Sequence, residues 1–314
     1  VAEALRAKLL PSETQAIAAR PTDNPAAYDL FLRAEYAWRE FQDSGESKEL
    51  ADAIALYQQA VAADPKFALA HARLSLARSM LYWNGGTPQL SLGDLAKGAQ
   101  AAADRAKQLD PDLPDANLAL ADIQYRIHLD YPGALAAYDA VLRERPGDVD
   151  ALWGRGLVLR RLGRFSEAIA AYDAAIELNP RNDTVITDRA LTYFFAGRLD
   201  EADAGFREGL ALNADNTTAA FRLANLKLYR NGDADAALAT LQSEQRAVQF
   251  ARVSLLGFQR KYDQALALTR VLEADPSDEG EAAAVRGMML AAAGQREAAA
   301  LLLRKAGQKL RAEL

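Results

Sequence analysis

Proline stops set the frame for this chain. Asp-Pro or its equivalent closes a helical stretch at Pro65, Pro111, Pro146, Pro180 and Pro276, and Asn213-Ala214 stands where another would fall. Proline lacks the N–H that a continuing helix needs, and its ring clashes with the preceding turn. Successive stops lie 46, 35, 34 and 34 residues apart, with a last step of 62 to Pro276. Between them the apolar residues keep helical spacing, and from residue 26 onward there is no strand-like alternation. A chain cut this way reads as a series of helix pairs.

Residues 149–180 show the unit most clearly. Two amphipathic helices are predicted around the turn Leu162-Gly163-Arg164, with Leu152, Leu159, Phe165 and Tyr172 on the inner faces. Gly156 and Ala168 are the small residues where the two helices would cross. The same elements recur elsewhere. Alanine stands four residues before an aromatic at Ala53/Tyr57, Ala134/Tyr138, Ala168/Tyr172 and Ala202/Phe206. A small residue marks the first-helix crossing at Ala34, Ser75, Ala121, Gly156, Ala190, Ala224 and Gly287. Glycine marks the inter-helix turn at Gly163, Gly197, Gly232 and Gly294. One such pair is too small to bury its apolar face, so neighbours of the same kind must stack on it.

Period and pattern together resemble the tetratricopeptide repeat over residues 26–306. The resemblance implies an all-α, right-handed superhelical solenoid of about eight helix-turn-helix pairs, whose first helices line a concave groove. Residues 1–25 would be a helical lead-in and linker, followed by units over 26–65, 68–111, 114–146, 149–180, 183–214, 217–246, 247–276 and 280–314. In the lead-in, residues 1–10 read as a helix stopped by Pro11, and Ser12 caps a second helix with Gln15. Asn24 then caps the helix that Pro25 opens. Two units depart from the pattern: the turn of the second is lengthened around residues 81–88, and after Ala214 Leu241 replaces the aromatic with no Asp-Pro behind it. The last helix, from Glu297, is expected to cap the array and carries Arg304, Lys305, Lys309 and Arg311. Residues 20–33, the long turn and residues 106–111 are also similar to the C-terminal repeat region of certain bacterial multidomain proteins. Those carry a winged-helix, adenylate or guanylate cyclase, or kinase domain upstream. With Val1 inside a helical pattern, the likeness implies a piece of a longer regulatory protein.

Composition narrows the function. A formal charge of −6 argues against nucleic acid as the partner, because phosphate binding wants a concentrated basic face. The absence of cysteine excludes disulfides and thiolate metal sites. No apolar run approaches the ~18 residues of a membrane span, so no membrane contact is expected of this stretch. The compartment stays open: cytoplasmic, or periplasmic if a span lies upstream. His71 and His128 have no second ligand at metal spacing; the first is expected to pack and the second to face solvent. With no phosphate-loop, Gly-x-Ser-x-Gly or His-Glu zinc pattern, no catalysis, cofactor or metal is expected.

Recognition remains. In the repeat's register, the groove-facing positions of the middle units are Asp115, Leu118, Asp122, Tyr125 and Arg126, then Asp150, Trp153, Leu157, Arg160 and Arg161. The next two sets are Thr184, Thr187, Leu191, Phe194 and Phe195, and Thr218, Phe221, Asn225, Leu228 and Tyr229. Leu157, Leu191 and Leu228 read as core. Binding hot spots favour Trp, Tyr and Arg, which bury much area while keeping a polar end. The candidate partner-binding set is therefore Tyr125, Arg126, Trp153, Arg160, Arg161, Thr187, Phe194, Phe195, Phe221, Asn225 and Tyr229. Trp153, Phe194 and Phe221 would anchor, and Arg126, Arg160 and Arg161 would read acidic groups. The family's chaperone-tail binders hold a terminal carboxylate with a Lys and an Asn four residues apart. Here Phe221 stands in the lysine's place before Asn225, so no such clamp is expected. Arg155, just before Gly156, is expected to find a carboxylate such as Asp173. The reading is a non-catalytic scaffold or regulatory module that binds a protein or peptide. The alternatives are a small-molecule sensor using the groove or the long turn, and a self-association module forming a homo-oligomer.

Overall fold

The computed structural model describes residues 21–45, 47–273 and 279–312. The expected helices over 1–10 and 12–20, and the stop at Asp275-Pro276, lie outside them. The described residues form sixteen α-helices and no strand: α1 (Pro25–Ser44), α2 (Ser47–Ala63), α3 (Ala68–Trp83), α4 (Leu92–Leu109), α5 (Pro114–Ile123) and α6 (Tyr131–Glu144). There follow α7 (Val149–Arg161), α8 (Phe165–Leu178), α9 (Asp183–Phe195), α10 (Leu199–Leu212) and α11 (Thr217–Asn231). The last are α12 (Ala234–Thr240), α13 (Arg246–Phe258), α14 (Tyr262–Leu272), α15 (Glu279–Ala292) and α16 (Arg296–Ala312). They make two compact units. The first takes in α1 to α6 up to Pro146, apart from residues 43–45, and the second takes in α7 to α16.

Local chemistry explains the punctuation. After α7, Gly163 sits at φ 73°, in the left-handed region that side chains avoid. The Arg164 N–H then reaches back to the Leu159 carbonyl at 2.9 Å, and the Gly163 N–H to that of Arg160 at 3.1 Å. These two bonds satisfy carbonyls that the helix end would otherwise leave open. Between α13 and α14 the same bond runs from the Lys261 N–H to the Leu256 carbonyl at 2.9 Å, but Arg260 holds the glycine position at φ 58°. Helix starts are capped by side chains: Asp148 accepts from the Ala151 N–H, Asn182 from Val185, Asn216 from Ala219 and Asp233 from Ala236. Each cap adds about 1 kcal/mol of helix stability.

Packing follows the small-residue register. A Cβ on Gly156 would come within 2.5 Å of the Tyr172 ring, and one on Gly205 within 2.8 Å of the Ala190 Cβ. Tyr57, Tyr138, Tyr172 and Phe206 are all fully buried behind the alanines that precede them. In the second unit α8 packs on α9 and α10 on α11, while the first helices α7, α9, α11 and α13 also touch in succession. That row of first helices carries most of the predicted site.

Two departures look different from their sequence expectation. Residues 81–83 stay helical as the end of α3, so the long turn is confined to residues 84–91, where Thr87 and Leu90 exchange backbone hydrogen bonds at 3.2 and 3.1 Å. After α5 the chain forms a π-helical turn, Gln124–His128, and leaves it through Leu129 at φ 56°. This wider turn was not foreseen. It redirects Tyr125 and Arg126.

Candidate functional site

Tyr125 and Arg126 are closed off in the first unit, at 1% and 5% exposure. The Arg126 Nε–H donates to both Asp122 carboxylate oxygens, at 2.8 and 3.0 Å, and the Tyr138 hydroxyl donates to the same carboxylate at 3.2 Å. Trp83 stacks on Tyr125 with ring centroids 5.5 Å apart. The Arg126 guanidinium lies 5.4 Å from the Tyr125 ring and 5.9 Å from that of Trp83. Burial and the Asp122 carboxylate push the Tyr138 hydroxyl well above its ordinary pKa. Burial opposes the Arg126 cation, yet the pull of Asp122 outweighs it and the pKa rises. Against expectation, these two side chains pack the unit and present little surface to a partner.

Asp188, on α9, corrects the picture for α7. Its carboxylate accepts from the Trp153 indole N–H at 2.8 Å and from Arg160 at 2.8 Å, and its carbonyl accepts from Arg160 at 3.1 Å. Trp153 and Arg160 therefore tie α7 to α9, and the charge of Arg160 is matched within the fold. Arg161 is exposed at the end of α7. Thr187 is buried; its hydroxyl donates to the Asp183 carbonyl at 2.7 Å and accepts from the Asn216 amide at 3.1 Å. Asp173 pairs with Arg189 at 2.8 Å, not with Arg155 as expected. Sequence reasoning passed over Asp188. The signal was available: an acid on the next first helix, opposite a Trp and an Arg seven residues apart on one face.

An aromatic cluster stays at the surface. Phe194 is half-buried and meets Phe195 and Tyr229 edge-on, at 5.8 and 5.7 Å between centroids. Phe195 is 53% exposed and Tyr229 72%. Asn225 is exposed one turn before Tyr229, and half-buried Phe221 one turn earlier still packs against the core formed by Ala220, Leu241 and Val248. Lys227 pairs with Asp203 at 2.7 Å. The structure thus brings Phe194, Phe195, Phe221, Asn225 and Tyr229 together on α9 and α11.

His71 is half-buried, with its Nε2 3.3 Å from the Pro65 carbonyl oxygen, and burial pushes its pKa down. His128 is exposed. Among the described residues no three His, Asp or Glu side chains gather as a metal site, and no helix is long and apolar enough to cross a membrane.

Residues 118–183 match the tetratricopeptide repeat family. Among solved structures, yeast Tom70 is 15% identical with a TM-score of 0.64, over 91% of this chain and 61% of that one. The human IFIT1 dimer with m7Gppp-AAAA is 14% identical with a TM-score of 0.57, over 84% and 68%. PilW, a type IV pilus biogenesis factor, is 20% identical with a TM-score of 0.52, over 73% and 99%. At these identities the likeness shows the fold. None of the curated proteins compared is similar in sequence to this chain.

Proposed function

From a chain built of tetratricopeptide repeats, we propose that the second unit is a non-catalytic recognition module that binds a peptide segment of another protein across α9 and α11. The observation that supports this is the exposed cluster Phe194, Phe195 and Tyr229. The repeat does not require aromatics there. Large exposed rings cost solvation without a ligand and bury well against one, which is why such residues dominate binding hot spots. Asn225 beside them offers an amide that can both donate to and accept from a peptide backbone. The nearby cations Arg160 and Lys227 are matched by Asp188 and Asp203, which favours an uncharged or mixed peptide over a phosphate backbone such as the one in the IFIT1 structure. A regulatory role within a larger bacterial protein rests on the likeness at residues 20–33.

Selection of peptides from a random display library on the whole chain tests the reading. Selected peptides should lose at least about tenfold in affinity for the variant carrying Phe195→Ala and Tyr229→Ala. Equal affinity for both proteins, or no enrichment, contradicts it.

A further inference from the structure

The first helix pair leaves bare a face that every comparable pair covers. Tyr36 comes two places after the small crossing residue Ala34, and it is 59% exposed. In the same register Ala77, Ile123, Thr192 and Leu226 are all buried. One turn earlier Leu32 is 48% exposed, and one turn before that Tyr28 is exposed too. The neighbouring register position behaves the same way. Arg189 and Arg286, each just before a small residue, reach back to Asp173 and Glu273 on the second helix of the preceding pair. Their counterpart Arg33 is exposed. Tyr28, Leu32 and Tyr36 thus form an apolar stripe along α1, flanked by Leu56 and Gln59 of α2, where a preceding second helix would lie.

We infer that residues 1–20 of this chain cover that stripe, with residues 12–20 forming the last turns of a second helix from a preceding pair. The stop register supports the assignment. Ala60, Ala106, Val141 and Ala175, each five residues before a stop proline, are all fully buried. Ala16 stands five residues before Pro21, and Ile17 follows it as Val61, Leu142 and Ile176 follow theirs. The point of attachment is fixed: the Thr22 hydroxyl donates to the Asp64 carboxylate, and the Asn24 amide to the Ala63 carbonyl at 2.8 Å. Residues 12–20 as helix span about 13 Å, which matches α1 from its start past Leu32. Residues 1–10, turned back at Pro11, bring Leu5 and Leu9 toward Tyr36. One departure is that Glu13 stands where Tyr57, Tyr138 and Tyr172 stand, so the stretch supplies the end of such a helix and not its whole length.

Hydrogen exchange on the full chain decides it. Amides of residues 12–19 should exchange at least about tenfold more slowly than unstructured peptide. That protection should vanish in the variant carrying Leu32→Asp and Tyr36→Asp, whose side chains are exposed, while α3 and α4 exchange as before. Ile17→Asp, placed in the covering segment itself, should abolish it equally and does not depend on the first variant folding. Exchange of residues 12–19 at unstructured rates in the unaltered chain overturns the inference, as does protection that survives both variants. So does sedimentation showing a dimer that Leu32→Asp with Tyr36→Asp disperses, because the stripe would then belong to a second copy.

Discussion

The same two positions of the repeat meet opposite fates in the two compact units. At the end of the third pair's first helix they are Tyr125 and Arg126, covered by Trp83 and held by Asp122 and Tyr138. At the end of α9 they are Phe194 and Phe195, touched only at their edges by Tyr229 and each other among the ring contacts described. Register is therefore not what makes a surface. An acid four residues earlier, a π-helical turn and a tryptophan at the end of the preceding first helix turn one copy into core. The other copy has Leu191 in the acid's place, a tight turn through Gly197 and no such cover, so its rings stay available.

The largest effect should come from taking the acid out of the closed copy. Asp122→Ala leaves the Arg126 cation buried without its partner, and the opening free energy of α5 and α6 amides in hydrogen exchange should fall by about 3–5 kcal/mol. The α9 and α10 amides should not change. A loss below about 1 kcal/mol would show that the triad does not hold this copy shut. Removing the cover is milder. Trp83→Ala forfeits the ring stack and the cation contact, about 1–2 kcal/mol together, and Tyr125 should become open to a solution nitrating reagent that leaves it untouched in the unaltered chain. Tyr138→Phe deletes one hydrogen bond to Asp122 and should cost about 1 kcal/mol by the same exchange measurement. The open copy should be the least sensitive of all. Phe195→Ala with Tyr229→Ala should shift the opening free energy of α9 and α11 by no more than about 0.5 kcal/mol. A larger loss would make these rings part of the fold after all.

The helical architecture was legible because several independent signals share one period. Prolines end second helices, glycines take the left-handed turn, and small residues let the helices cross. Tyr57, Tyr138, Tyr172 and Phe206 are buried where the pattern put them. The site was legible only in part. Phe194, Phe195, Phe221, Asn225 and Tyr229 gather on one row of helices, but register alone could not tell that Trp153 and Arg160 turn inward to Asp188. That pairing spans two repeat units and leaves no mark in a single one. Nor could it foresee the π-helical turn. One extra residue in a helical turn depends on how the Asp122, Arg126 and Tyr138 side chains satisfy each other, and their types alone do not disclose that geometry.

The central claim is that recognition belongs to the open copy and folding to the closed one. An NMR titration of the full chain with a display-selected peptide, followed at the aromatic ring resonances, tests it most directly. The account predicts that the rings of Phe194, Phe195 and Tyr229 shift and saturate with the peptide while those of Tyr125 and Trp83 stay in place. Shifts centred on Tyr125 and Trp83, with the α9 and α11 rings unmoved, would contradict it.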